Sequence, residues 1–148
     1  MRRLSNSEVK ELIRAGLDIS KRDIVEIVNI DGTEVMRVNG TYAFFMYSGR
    51  WVPTLKRIYE EKLSLKSVYV DMGAVKFVSN GADVMRPGIV RIDDGINTGD
   101  IIGIKEISHD KIIALGEALL SSEGIKNAST GKMAKNIHYI GDKLWCLG

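Results

Sequence analysis

Val70-Asp-Met-Gly-Ala-Val-Lys-Phe-Val-Ser-Asn-Gly-Ala-Asp-Val-Met-Arg-Pro-Gly-Ile89 decides how the 148-residue chain is read. Its pattern predicts a strand at 67–71, a helix at about 73–80 that ends on closely spaced glycines, and a short strand at 88–92. Working toward the C-terminus, apolar runs predict strands near 100–107, 111–121 and 135–140. Between the last two, Ser121-Ser-Glu-Gly-Ile-Lys-Asn-Ala-Ser-Thr-Gly-Lys132 is polar and carries turn and capping signals, which predict a surface loop with a helical turn. This half of the chain reads as a small, mostly β barrel.

Toward the N-terminus, Ser5-Asn-Ser-Glu8 has the form of a capping box, and Val9, Leu12, Ile13 and Leu17 follow at helical spacing, with Gly16 a terminator. From Ile24 the period becomes strand-like. Asp31-Gly32 and Asn39-Gly40 suit two-residue hairpin turns between strands at about 24–30, 33–38 and 41–47. Thr41-Tyr-Ala-Phe-Phe-Met-Tyr47 is apolar on both alternating faces, so both are expected to be covered, one of them by the second domain. Pro53 suits a first helical turn, and Leu55, Ile58, Tyr59 and Leu63 make the apolar stripe of a helix over 53–63. These readings give an α+β domain over 1–65 and a second domain over 66–148. No flexible linker composition separates the two.

The 70–89 segment resembles the opening of a PUA domain, an RNA-binding module. Thr98-Gly-Asp-Ile-Ile-Gly-Ile104 fits its next strand, and Ile137-His-Tyr-Ile-Gly-Asp-Lys-Leu-Trp145 looks like its closing strand. With this ending, and a small α+β domain in front, the chain resembles the malignant-T-cell-amplified-sequence family and its archaeal relatives. The resemblance implies an α+β N-terminal domain followed by a mostly β PUA pseudo-barrel. It also implies a noncatalytic, cytoplasmic protein of translation initiation, reinitiation or ribosome recycling. Its expected partners are structured RNA (tRNA or small-subunit rRNA), the small ribosomal subunit and a protein partner.

Carried onto this chain, the resemblance implies an RNA surface made of Lys76, Ser79, Asn80, Gly81, Ala82, Asp83, Val84, Met85, Arg86 and Gly88. His138 joins it from the closing strand if its side chain points outward, since His138 and Tyr139 must face opposite ways. Arg86 is the preferred contact, because a guanidinium can fork onto a phosphate or a guanine edge, and Lys76 would act as a point charge. Asp83 would repel phosphate and is expected to orient Arg86 or cap a turn. The glycines have a purely conformational reading as well: Gly81 a left-handed helix cap, Gly88 the end of a turn set by Pro87. Val75, Phe77 and Val78 are read as core rather than as a stacking platform. Met85 suits either packing or an adaptable contact.

Other chemistry is thinly represented. One cysteine, Cys146, and two histidines, His109 and His138, give no zinc-ligand spacing, and neither metal nor cofactor is expected. Asp93-Asp94 beside Gly95 reads as a solvated turn, Thr98-Gly-Asp100 as a turn into a strand, and His109 as a loop histidine. Trp51 is expected in a loop, as an interdomain plug in preference to an exposed stacking residue, and Trp145 as a seal at the base of the barrel. Lys126, Lys132 and Lys135 form a solvated face or a secondary RNA contact. No apolar stretch reaches the length of a membrane span.

The net charge is only +2, and residues 66–148 hold ten Lys and Arg against ten Asp and Glu, so RNA affinity there requires cations gathered on one face. That neutrality leaves a protein-interaction module open. A targeting component of an RNA-modifying activity is a further alternative, because PUA modules also accompany modifying enzymes.

Overall fold

The computed structural model describes every residue from Met1 to Gly148, and the chain divides into two compact units, Met1–Lys62 with Leu147–Gly148, and Leu63–Cys146. The first unit contains β1 (Arg2–Arg3), α1 (Asn6–Arg14), β2 (Val25–Ile30), β3 (Thr33–Val38), β4 (Thr41–Tyr47), β5 (Arg50–Pro53) and α2 (Leu55–Glu60). Its five strands lie in chain order in one antiparallel sheet. The capping box forms as expected: the amide of Glu8 donates to Ser5 Oγ at 3.2 Å and the amide of Ser5 donates to Glu8 Oε1 at 3.0 Å.

Each of the hairpins β2–β3, β3–β4 and β4–β5 turns on two residues of positive φ: Asp31-Gly32, Asn39-Gly40 and Ser48-Gly49. The third corrects the sequence reading. Ser-Gly is a weaker turn signal than Asn-Gly or Asp-Gly, so β5 was not anticipated, and Trp51 lies on that strand rather than in a loop. Its half-buried side chain packs against the unit's own core, which includes Val9, Val25, Met36, Ala43 and Phe44. Pro53 ends β5 instead of opening a helix. Thr54 is the N-cap, with Oγ1 accepting from the amide of Arg57 at 3.2 Å and donating to the carbonyl of Tyr42 at 3.0 Å.

The second unit contains β6 (Ser67–Val70), α3 (Met72–Val78), β7 (Val84–Met85), a 3-10 turn (Arg86–Gly88), β8 (Ile89–Ile92), β9 (Ile101–Glu106), β10 (Lys111–Ala118), α4 (Ser122–Asn127) and β11 (Lys132–Tyr139). The strands form one sheet in the order β7-β11-β10-β9-β6-β8, with β6 and β9 parallel and the other pairs antiparallel. Register shifts interrupt several of these pairings, and each bends the sheet toward its near-closed, barrel-like form. Val68, Val70, Ile102, Ile104, Ala114, Ile125 and Ala134 fill the interior, and Val78 and Val84 bring α3 and β7 onto it.

The closing segment differs from its reading. β11 ends at Tyr139, and Trp145 is half-buried in a separate 3-10 turn, Trp145–Leu147, rather than in the strand. The Asp142 carboxylate builds that turn by accepting from the amides of Tyr139 (2.9 Å) and Trp145 (2.8 Å) while lying 2.8 Å from His138 Nδ1. Asp93 accepts from the amide of Ser67, Asp94 pairs with Lys126, and His109 is exposed. No three His, Cys, Asp or Glu side chains gather into a metal-holding group, and no helix is long and apolar enough to cross a membrane.

Candidate nucleic-acid interface

α3 begins at Asp71, whose Oδ1 accepts from the amide of Ala74 at 2.9 Å, and ends in two nested hydrogen bonds. The amide of Ala82 reaches the carbonyl of Phe77 and that of Gly81 reaches Val78, both at 3.0 Å, with Gly81 at φ +92°. This is a Schellman cap with glycine at its left-handed position. A Cβ at Gly81 would also lie 3.0 Å from the Tyr139 ring. At Gly88 a Cβ would lie 2.8 Å from that of Ala74, so this glycine is what lets α3 lie close against the entry to β8. Both glycines therefore have conformational duties, and those duties shape the surface between them.

That surface is a shallow groove of about 260 Å³, lined by Ala74, Phe77, Val78, Ala82, Asp83, Val84, Met85 and Gly88. Five of the ten residues read from the 76–88 segment are in its lining, Ala82, Asp83, Val84, Met85 and Gly88; Lys76 and Asn80 are exposed on α3 and just beyond it, and Ser79 is half-buried. Phe77 corrects its assignment to the core. Its ring is 61% exposed, Met85 beside it is 48% exposed, and the Lys76 ammonium sits 5.8 Å from the ring centroid. Helical spacing placed Phe77 with Val78, but a seven-residue helix across a small barrel buries only a narrow stripe, and Val78 occupies it.

Asp83 is the one carboxylate in the groove. It pairs with Lys132 at 2.9 Å and accepts from the amide of Asn136 at 2.8 Å, so its partner is Lys132, not Arg86. The Lys132 hydrogen bond holds its carboxyl below the usual carboxylate range; burial opposes this, and the Asn136 amide and the charges of Lys132 and Lys135 add to the lowering. The Asn136 side chain, which the sequence reading did not single out, donates through Nδ2 to the carbonyls of Val78 (3.0 Å) and Ala82 (3.1 Å).

Two expected contacts are engaged within the protein. Arg86 is half-buried and bound to the protein itself: Nε donates to the carbonyls of Ile125 (2.8 Å) and Ala128 (3.0 Å), and Nη1 to that of Ile89 (3.1 Å). Its guanidinium ties the end of α4 to β8. His138 is 1% exposed and faces Asp142, so Tyr139 is its more exposed neighbour, and it is this ring that backs Gly81. Little in the local sequence distinguishes a staple arginine from a contact arginine, because two of its three partners lie 39 and 42 residues away.

A helix–loop–strand groove on a six-stranded pseudo-barrel defines the class: residues 66–140 match the family described as PUA domain, and residues 3–61 a family described as a domain of unknown function (DUF1947). The chain is 40% identical to an uncharacterized protein of Methanocaldococcus jannaschii, over 86% of this chain and 78% of that protein. It is 31% identical to Translation machinery-associated protein 20 of Saccharomyces cerevisiae (86% and 74%) and 32% identical to human Malignant T-cell-amplified sequence 2 (84% and 72%). Among solved structures, a hypothetical protein of Pyrococcus horikoshii OT3 superposes with a TM-score of 0.82 at 34% identity, covering 97% of this chain and 96% of that one. The chain belongs to the malignant-T-cell-amplified-sequence family of PUA-domain proteins.

Proposed function

We propose that this protein is a noncatalytic, cytoplasmic RNA-binding component of the translation apparatus. Its domain over 66–148 holds tRNA or small-subunit rRNA during initiation, reinitiation or recycling, and the domain over 1–65 positions it or meets a protein partner. The observation that carries the reading is the PUA match over 66–140 together with a groove in which an exposed aromatic ring stands beside cations. Phe77 offers a face for an unstacked base, Lys76 and Lys132 lie at its rim for the backbone, and Lys135 is exposed on β11 close enough to act on Asp83. Ala82 and Val84 supply part of the wall and Ser79, Asn80 and Gly81 adjoin it, with Met85 adaptable beside them. The names of the yeast and human relatives support the translational setting.

One observation favours a second reading. Met72, Phe77, Met85 and Val90 are all large, apolar and about half exposed or more, which also suits a protein surface. Binding of purified protein to labelled tRNA and small-subunit rRNA fragments over a salt series separates the two. The RNA reading expects salt-dependent affinity that Lys76→Glu and Phe77→Ala both weaken; absence of affinity for either RNA rejects it in favour of the protein surface.

A further inference from the structure

We propose that Asn136 is a positioning residue for RNA: from behind the groove it fixes the loop after α3 in its binding conformation. The inference rests on the RNA reading of the groove. Three features of the wall end on this one residue. Its Nδ2 donates to the carbonyls of Val78 and Ala82, and its main-chain amide donates to Asp83 Oδ1, itself held by Lys132. Val78, Ala82 and Asp83 all line the groove, whereas Asn136 does not, so it acts on a ligand only through them.

Chemistry restricts the position to a donor. Two carbonyl oxygens converge on one point, and the side chain that meets them must offer two N–H bonds there. The amide cannot turn over, because its oxygen would then face both carbonyls. In the observed orientation Asn136 Oδ1 is buried with no hydrogen-bond partner, so the amide is retained for its donors while its acceptor goes unused. The loop has few other ties to the sheet. Gly81 rests on the Tyr139 ring, and Lys132 holds Asp83. All three supports come from β11, about 50 residues further along the chain. A groove pre-formed in this way spares the ligand the cost of ordering its wall.

The test compares Asn136→Ala, Asn136→Asp and the milder Asn136→Ser in the full chain, measuring tRNA affinity, its salt dependence and amide hydrogen exchange well below each melting temperature. The expected result for Asn136→Ala is affinity about tenfold weaker with an unchanged salt slope, since no charge is removed, and faster exchange at Gly81 and Ala82 while β9 and β10 stay protected. Asn136→Asp, which turns a carboxylate toward two carbonyls, weakens binding further. Unaltered affinity in a folded variant whose loop exchanges faster overturns the proposal and leaves the RNA reading standing. A wild-type protein that binds no RNA overturns both. If Asn136→Ala and Asn136→Asp do not fold, Asn136→Ser decides by the same criteria, since it retains at most one of the two donors.

Discussion

Arg86 and Asp142 show how much rests on single side chains that hold backbone rather than ligand. Removing the Arg86 guanidinium takes a donor from the carbonyls of Ile125, Ala128 and Ile89 in a half-buried setting, that of Ile125 keeping only the amide of Ala128. Arg86→Met, which keeps the apolar stem, is therefore expected to lower unfolding free energy by about 2–3 kcal/mol with an unchanged urea m-value. A loss of RNA binding in Arg86→Glu would then report on folding first. At Asp142 burial raises the carboxyl pKa, but the hydrogen bonds from His138 and from the amides of Trp145 and Tyr139 outweigh it, and the folded value lies below the ordinary one. A folded pKa below the unfolded one gives stability that is complete above the ordinary value, about pH 4, and declines as pH falls toward the folded value. Denaturant titrations should show the wild type losing stability from about pH 4 downward, with Asp142→Asn less stable at neutral pH and flatter across that acid range.

Among the elements, α3 and the strand that follows it are coupled through a contact that admits no methyl group. With the Cβ of Ala74 2.8 Å from where a Cβ of residue 88 would lie, Gly88→Ala must push α3 outward, at a cost of about 1–3 kcal/mol. Ala74→Gly alone weakens the helix by about 1 kcal/mol, yet combined with Gly88→Ala it returns the missing space. A double-mutant cycle should find the pair less destabilised than the sum of the single changes, and strict additivity would remove this account of the glycine. The same elements show what the sequence could disclose. α1, the first two hairpins, α3 and the positions of five of the six barrel strands were legible because capping boxes, Asx-Gly turns and apolar periods are local signals, whereas the two-residue β7 was not. β5 was hidden behind a Ser-Gly turn and a proline that serves a strand end as well as a helix start. The groove's backbone was legible from its glycines, while its chemistry was not: whether Phe77 turns out, Arg86 turns in, or Asn136 reaches two carbonyls depends on residues brought up by β11 and α4.

At the scale of the whole molecule, charge limits how RNA can be held. A net charge of +2, with balanced charge over residues 66–148, excludes affinity by bulk attraction, so any RNA binding must come from a few cations placed locally together with uncharged contacts. Several of the ten cations in that stretch are already occupied: Arg86 by carbonyls, Lys66 by the carbonyl of Gly95, Lys126 by Asp94 and Lys132 by Asp83. Counterion release should therefore be small, with the slope of log affinity against log salt corresponding to only about two to four phosphate contacts, far from the steep dependence of strongly basic proteins. Lys76→Ala should reduce that slope by about 0.7–0.9, the share of one phosphate contact, because it removes one charge from the rim. Phe77→Ala removes a stacking face and no charge, so it should weaken binding by about 1–3 kcal/mol at every salt concentration and leave the slope where it was. The contrast between a change of slope and a parallel displacement identifies which residue meets the backbone and which meets a base. If both variants shifted the line in parallel, Lys76 would have no phosphate partner and the cationic side of the groove would have to be sought at Lys132 and Lys135.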